Sequence, residues 1–182
     1  MHASIWLVLI VAIIAGVFWS RGQLRAEELV IGAPAPEFNV PDADGQLRTL
    51  KEFRGEWVLL YFYPKDDTSG CTKEACSFRD GYQELRSRGV HVLGVSVDDR
   101  ASHQAFAVKH RLPFPLLSDS DGQLAKRYAA LWELGPIRFA KRHSFLIDGH
   151  GRLAQIYRSV DPDTHYRQVL SDLDRLSSTQ TE

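Results

Sequence analysis

Trp57-Val-Leu-Leu-Tyr-Phe-Tyr63 is a continuous apolar, β-rich run that stops at Pro64. A strand with one wet face alternates in polarity; a run without alternation belongs in the middle of a sheet covered on both faces. Val90-His-Val-Leu-Gly-Val-Ser-Val97 reads as a second such strand and Ser144-Phe-Leu-Ile147 as a third. The turn His150-Gly151 joins the third to Arg152-Leu-Ala-Gln-Ile-Tyr157, its expected hairpin partner. Between the strands, Ala75, Phe78, Tyr82 and Leu85 form one apolar stripe, which predicts a helix over about Thr72 to Arg88. Further helices are expected near Ser102–His110, Gly122–Ala130 and Asp163–Leu176.

This order predicts an α/β domain with a central mixed β-sheet and helices on both faces. It is the outline of a thioredoxin-like fold, and other α/β folds share it. The chain has 182 residues, 44% apolar and 25% charged, enough for one core of normal size. With 22 basic and 23 acidic residues the net charge is −1, and there is no basic block. Nucleic acid, whose phosphates need clustered Lys and Arg, is therefore excluded as a partner. Two cysteines exclude a disulfide-stapled mini-protein and a four-thiolate metal site. No repeat or linker divides the chain from Ile31 onward. Residues 31–177 are read as one domain and 178–182 as a disordered tail.

Residues 1–30 read as a separate object, a transmembrane anchor and short linker. Ile5 to Trp19 is an unbroken apolar run of about 15 residues, and the flanks Ala3, Ser4 and Ser20 extend it to about 18. A cleaved signal peptide is the competing reading, but no basic stretch precedes the run and Phe18-Trp19-Ser20-Arg21 is a poor cleavage site. A buried core helix is the third, weakened by the lack of a polar face. Arg21 and Arg25 follow the span, so the positive-inside rule puts the domain on the cytoplasmic side of a bacterial-type inner membrane, on a single-pass anchor.

The chemistry concentrates in Tyr61-Phe-Tyr-Pro-Lys-Asp-Asp-Thr-Ser-Gly-Cys-Thr-Lys-Glu-Ala-Cys76. The stretch runs from the end of the buried strand through a turn into the first turn of the helix. Ligands of open α/β sheets bind at the carboxyl ends of strands, and Cys71 stands there, at a helix N-terminus. Free N–H groups and the helix dipole at that point stabilise a thiolate. Cys71 also extends the Ala75/Phe78/Tyr82 stripe, so its sulfur faces inward, whereas Cys76 falls about 140° further round on the exposed side. Two cysteines as idle small hydrophobes is the bland alternative. Two thiols are too few for a metal site. His143 could add a third ligand, but a lone His beside a strand is usually structural.

Pro64-Lys-Asp-Asp-Thr68-Ser-Gly-Cys71-Thr resembles the active-site motif of the peroxiredoxins, and a second Cys five residues on is similar to their bacterioferritin comigratory protein, or PrxQ, branch. Ile31-Gly-Ala-Pro-Ala-Pro-Glu-Phe38 resembles the family's opening segment and Lys141-Arg-His-Ser-Phe-Leu-Ile-Asp148 its Arg-containing strand. Ser69 stands where this branch usually has Pro, and Leu131–Ala140 departs from the usual stretch. The resemblance implies a peroxidase of the atypical 2-Cys mechanism. Cys71 would attack the peroxide and become a sulfenic acid, and Cys76 would resolve it as an intramolecular disulfide. Arg142 would keep the thiolate ionised and polarise the peroxide. Thr68 would hold sulfur and peroxide in line, and Pro64 would shield the sulfenate. Glu74 could orient Arg142, but a Glu in a first helical turn is favourable anyway, and it stays outside the catalytic set.

The substrates implied are hydrogen peroxide and organic hydroperoxides, and the partner is thioredoxin or a similar dithiol reductant. No cofactor or metal is implied, and the chain is expected to be a monomer or weak dimer. The alternative is a membrane-tethered thioredoxin-fold copper chaperone, which pairs an anchor with two nearby cysteines. That family has three residues between its cysteines; this chain has four. A disulfide reductase needs a C-x-x-C pair, and there is none.

Overall fold

The computed structural model describes residues 29–179. Along the chain run β1 (Asn39–Pro41), β2 (Leu47–Thr49), a 3-10 turn (Leu50–Phe53), β3 (Trp57–Phe62), α1 (Ser69–Asp80), α2 (Tyr82–Ser87) and β4 (Val90–Ser96). There follow α3 (Arg100–His110), β5 (Leu116–Ser118), α4 (Gln123–Arg127), β6 (Leu131–Leu134), β7 (Ile137–Ala140), β8 (Ser144–Ile147), β9 (Leu153–Tyr157) and α5 (His165–Thr179). Five strands form one mixed sheet in the order β5-β4-β3-β8-β9. The apolar run that lacked alternation is its central strand: β3 pairs parallel with β4, Leu60 opposite Leu93, and antiparallel with β8, Leu60 opposite Phe145.

The pleat divides β3 between two cores. Val58, Leu60 and Phe62 face a layer with Leu124, Ala125 and Tyr128, from α4 and its C-terminal end, and with Phe53 of the 3-10 turn. Leu59, Tyr61 and Tyr63 face the opposite layer of Cys71, Ala75 and Phe78 on α1, Phe106 on α3 and Val169 on α5. The fold is thus thioredoxin-like, a mixed sheet flanked by helices.

The structure differs from the sequence expectation in several features. The single helix expected over Thr72–Arg88 is two, α1 and α2, parted at Gly81. A Cβ at Gly81 would stand 2.2 Å from the Tyr166 ring, so the glycine lets α5 approach where the helix breaks. Leu116–Ser118 is a three-residue parallel edge strand, too short to show a period. Leu131–Ala140, which departs from the family's usual stretch, folds as the antiparallel ribbon β6–β7, with Trp132 stacked on Phe139.

The membrane expectation requires correction. The segment that carried it lies outside the described residues, and among the described residues no helix is long and apolar enough to cross a membrane. The longest of them, α5, has 15 residues and spans about 22 Å, against a hydrocarbon core of ~30 Å.

Candidate active site

Pro64 has no N–H to donate, and the β3 ladder ends with Tyr63, whose N–H donates to Val95. The turn that follows is pinned from below by a buried carboxylate, Asp66. It accepts from Tyr63 Oη at 2.7 Å, Ser102 Oγ at 2.8 Å and His103 Nδ1 at 2.9 Å, while its own N–H donates to Asp98. Burial pushes the Asp66 carboxyl up, but His103, Tyr63 and Ser102 together hold it below its ordinary range. Asp67 then takes the left-handed conformation at φ 57°, and Thr68 begins α1, its carbonyl accepting from Thr72 N–H at 2.9 Å.

Cys71 lies in the first turn of α1, 1% exposed, its side chain in the layer of Tyr61, Ala75 and Phe78. Arg142 arrives from the other side of β3. The Phe62 N–H donates to the carbonyl of His143, which fixes the Lys141–His143 turn at the carboxyl end of the strand. From there Arg142 Nη2 reaches to 3.3 Å of Cys71 Sγ, and Nη1 forms an ion pair with Glu74 Oε2. Gly70 makes room for this: a Cβ there would stand 3.2 Å from Arg142 Nη2.

Glu74 is fully buried, and its second oxygen, Oε1, has no hydrogen-bond partner among the described residues. Burial raises its carboxyl to about 7, against the downward pull of Arg142. Arg142 in turn is desolvated, yet Glu74 and Cys71 hold its guanidinium charged. The site is a buried thiol and a buried carboxylate sharing one cation, which can hold a thiolate and polarise an oxygen beside it.

The five residues singled out in the sequence do not all touch. Cys71 and Arg142 are brought together, as described. Thr68 is the N-terminal cap residue of α1, but its hydroxyl donates to the Lys65 carbonyl at 3.0 Å and makes no side-chain cap. Pro64 is half-buried in the turn before α1. Cys76 is half-buried on the other side of α1, with its Sγ 4.0 Å from His110 Nδ1. A cavity of ≈ 590 Å³ lined by Asp42, Arg48 and Phe114 touches none of the five. Sequence reading left Glu74 aside and missed Gly70 and Asp66. The signal for Glu74 was its place three residues after Cys71, on the inward stripe of the helix.

Residues 31–156 match the sequence profile of the AhpC/TSA family. The chain belongs to that family. Within it the chain is a peroxiredoxin of the Q, or BCP, type. It is 42% identical over 149 residues to "Putative peroxiredoxin bcp" of Coxiella burnetii, covering 79% of this chain and 97% of the relative. It is 41% identical over 147 residues to "Peroxiredoxin Q, chloroplastic" of Triticum aestivum, covering 80% of this chain and 67% of the relative. The crystal structure of peroxidoxin BcpB from Mycobacterium tuberculosis superposes with a TM-score of 0.77 at 31% identity, over 81% of this chain and 98% of that one.

As a peroxiredoxin the protein is a thiol peroxidase, an oxidoreductase that acts on peroxide and draws on a thiol reductant. The copper-chaperone alternative finds no support in these relatives. The wheat relative is named as chloroplastic, and no described helix can cross a bilayer. The single-pass inner-membrane localisation is therefore withdrawn.

Proposed function

We propose that this peroxiredoxin reduces hydrogen peroxide and organic hydroperoxides at Cys71, closes a Cys71–Cys76 disulfide, and is recycled by a thioredoxin-like dithiol protein. The observation that carries the reading is the 3.3 Å approach of Arg142 Nη2 to the buried Cys71 Sγ. The Cys71 thiolate attacks one peroxide oxygen, the O–O bond breaks, and the departing oxygen takes a proton and leaves as water or alcohol. Arg142 steadies the negative charge as it passes from sulfur to oxygen, and Glu74 is a positioning residue that aims the guanidinium. Thr68, donating to Lys65, keeps two acceptor lone pairs, one of which can take the O–H of the peroxide. Pro64 covers the sulfenate from the strand end.

Cys76 then condenses with the sulfenic acid, releasing water. Both cysteines lie on α1, so the cycle needs no second copy and suits a monomer or weak dimer. The test is hydrogen peroxide consumption by the reduced protein with thioredoxin and its reductase, without added metal. The expected result is steady turnover, dimedone labelling of Cys71, and an intramolecular disulfide by mass. Turnover that persists in Cys71→Ser, or oxidised protein without the disulfide, overturns the reading.

A further inference from the structure

The sulfur proposed to resolve the cycle sits at one end of a chain of polar groups that the peroxide chemistry does not use. Cys76 Sγ is 4.0 Å from His110 Nδ1, and His110 Nε2 is 3.2 Å from Asp67 Oδ1. The three residues come from three elements: Cys76 from α1, His110 from the last turn of α3, and Asp67 from the turn that leads to Cys71. We propose that His110, oriented by Asp67, is the general base that deprotonates Cys76 for the resolving step. The proposal rests on the reading that Cys76 resolves the Cys71 sulfenic acid.

The tautomer follows from the partners. Asp67 can only accept when ionised, and Lys109 Nζ at 2.8 Å, then His110, hold its carboxyl below the ordinary range. The imidazole therefore donates from Nε2, and in the neutral ring this leaves the lone pair of Nδ1 turned to the sulfur. Among the described residues, the group that faces this lone pair is the Cys76 thiol. The carboxylate–imidazole–nucleophile order is the arrangement by which an enzyme base is both oriented and made stronger.

Of the charged groups around the pair, Arg79, itself held by Asp80 at 2.8 Å, favours the thiolate, and Asp67 favours the imidazolium. Arg79 of α1 donates to the His110 carbonyl at 2.9 Å and lies against Cys76 as well, so a thiolate there would face a cation. Lys109 is bound to Asp67, and the edge-on Phe106 ring, centroid 4.9 Å away, closes the remaining side of His110.

The step balances. The Cys76 proton passes to His110 Nδ1, and the thiolate sulfur attacks the Cys71 sulfur, forming S–S and breaking S–O. The departing hydroxide takes up a proton and leaves as water. Cys76 is oxidised and the sulfenic sulfur reduced, so no outside oxidant enters. His110 meets Cys76 while α1 is intact, so the thiolate is formed before the helix start opens to join the two sulfurs.

The test uses the full chain. In a Cys71→Ser background Cys76 is the only thiol, and its alkylation by iodoacetamide at pH 7 reads the thiolate directly. His110→Gln should slow alkylation about tenfold. In the protein with both cysteines, the same change should slow disulfide closure after one equivalent of hydrogen peroxide and let dimedone trap more Cys71 sulfenate. Asp67→Asn, which keeps the left-handed turn and removes the charge, should slow both in the same direction and leaves α3 untouched. Equal alkylation and closure rates in the parent and His110→Gln overturn the inference, while the peroxidase reading stands. A parent protein that forms sulfenate but no Cys71–Cys76 disulfide overturns the resolving role itself, and the inference with it.

Discussion

Arg142 and Cys71 meet at the carboxyl end of the central strand: Nη2 stands 3.3 Å from Sγ although 71 positions separate the two in the chain. Neither residue can reach the other without β3. Its carboxyl end feeds the turn that starts α1, and its pairing with β8 brings in the Lys141–His143 turn. The proposed reacting group and its cation are thus both referred to one central strand, 0–1% exposed from Val58 to Phe62. A site hung on a rigid element keeps its geometry to a fraction of an ångström, which electrostatic catalysis requires.

Cys71→Ser should abolish peroxide reduction and leave the fold intact. Serine differs by one atom, and its hydroxyl can accept from Arg142, so no buried group is orphaned. The group at hydrogen-bond distance is Arg142, a cation and not a base, so a hydroxyl in this place is not activated as a nucleophile. The measurement is hydrogen peroxide consumption beside an unchanged circular dichroism spectrum. More than a few per cent of the parent rate would count decisively against Cys71.

Arg142→Ala should lower the rate of peroxide reduction by about a hundredfold, the usual cost of removing one donor aimed at developing charge. It should also slow iodoacetamide alkylation of Cys71 when Cys76 is replaced by Ser, because the cation beside the sulfur is gone. Unchanged alkylation would separate the two effects and confine Arg142 to the peroxide.

Much of this was legible along the chain, and the reasons differ from residue to residue. The apolar run Trp57–Tyr63 announced a central strand because burial on both faces leaves no polar position. The inward turn of Cys71 followed from helical period alone. Arg142 could be assigned only through family resemblance, since no local pattern says that residue 142 lies over residue 71. The break at Gly81 depends on Tyr166 of α5, which local propensity does not record. Glu74 looked like an ordinary first-turn acid, and its pairing with Arg142 depends on where the Lys141–His143 turn lies in the fold. The contacts of Asp67 and Cys76 with His110 depend on how α3 lies against α1, which is a matter of packing.

Glu74 gives the fold a measurable pH dependence. Burial lifts its carboxyl from 4.5 to about 7, so between those values the folded chain holds a proton that the unfolded chain has released. Stability is therefore present at low pH and falls as pH rises through about 7, by about 3 kcal/mol in all. Glu74→Gln cannot release the proton. In urea titrations its stability relative to the parent should improve by that amount between pH 4.5 and 8. Asp119, raised to about 6 by burial, slopes both proteins alike, so the difference isolates Glu74. A difference that does not change with pH would show that Arg142 keeps Glu74 ionised throughout.

The proposed disulfide requires motion in α1. Both cysteines lie within the continuous helix Ser69–Asp80, five residues apart. Their Cα atoms are then separated by about 8.6 Å, against the ~4.4–6.8 Å that a disulfide accepts. Direction is wrong as well, since Cys71 points into the core and Cys76 toward His110. The start of the helix must therefore unwind in each cycle. Its sequence suits that, because Thr72, Cys76 and Ser77 are modest helix formers and the terminal hydrogen bonds are the first to open. Phe78 marks where unwinding should stop: it is fully buried, packed on Tyr61 with centroids 4.9 Å apart and on His165 at 5.2 Å. Amide hydrogen exchange on the two redox forms should show residues 72–78 protected when reduced and exposed when oxidised, with residues 57–62 of β3 unchanged. Equal protection of 72–78 in both forms, with the Cys71–Cys76 disulfide present by mass, would overturn the requirement for unwinding.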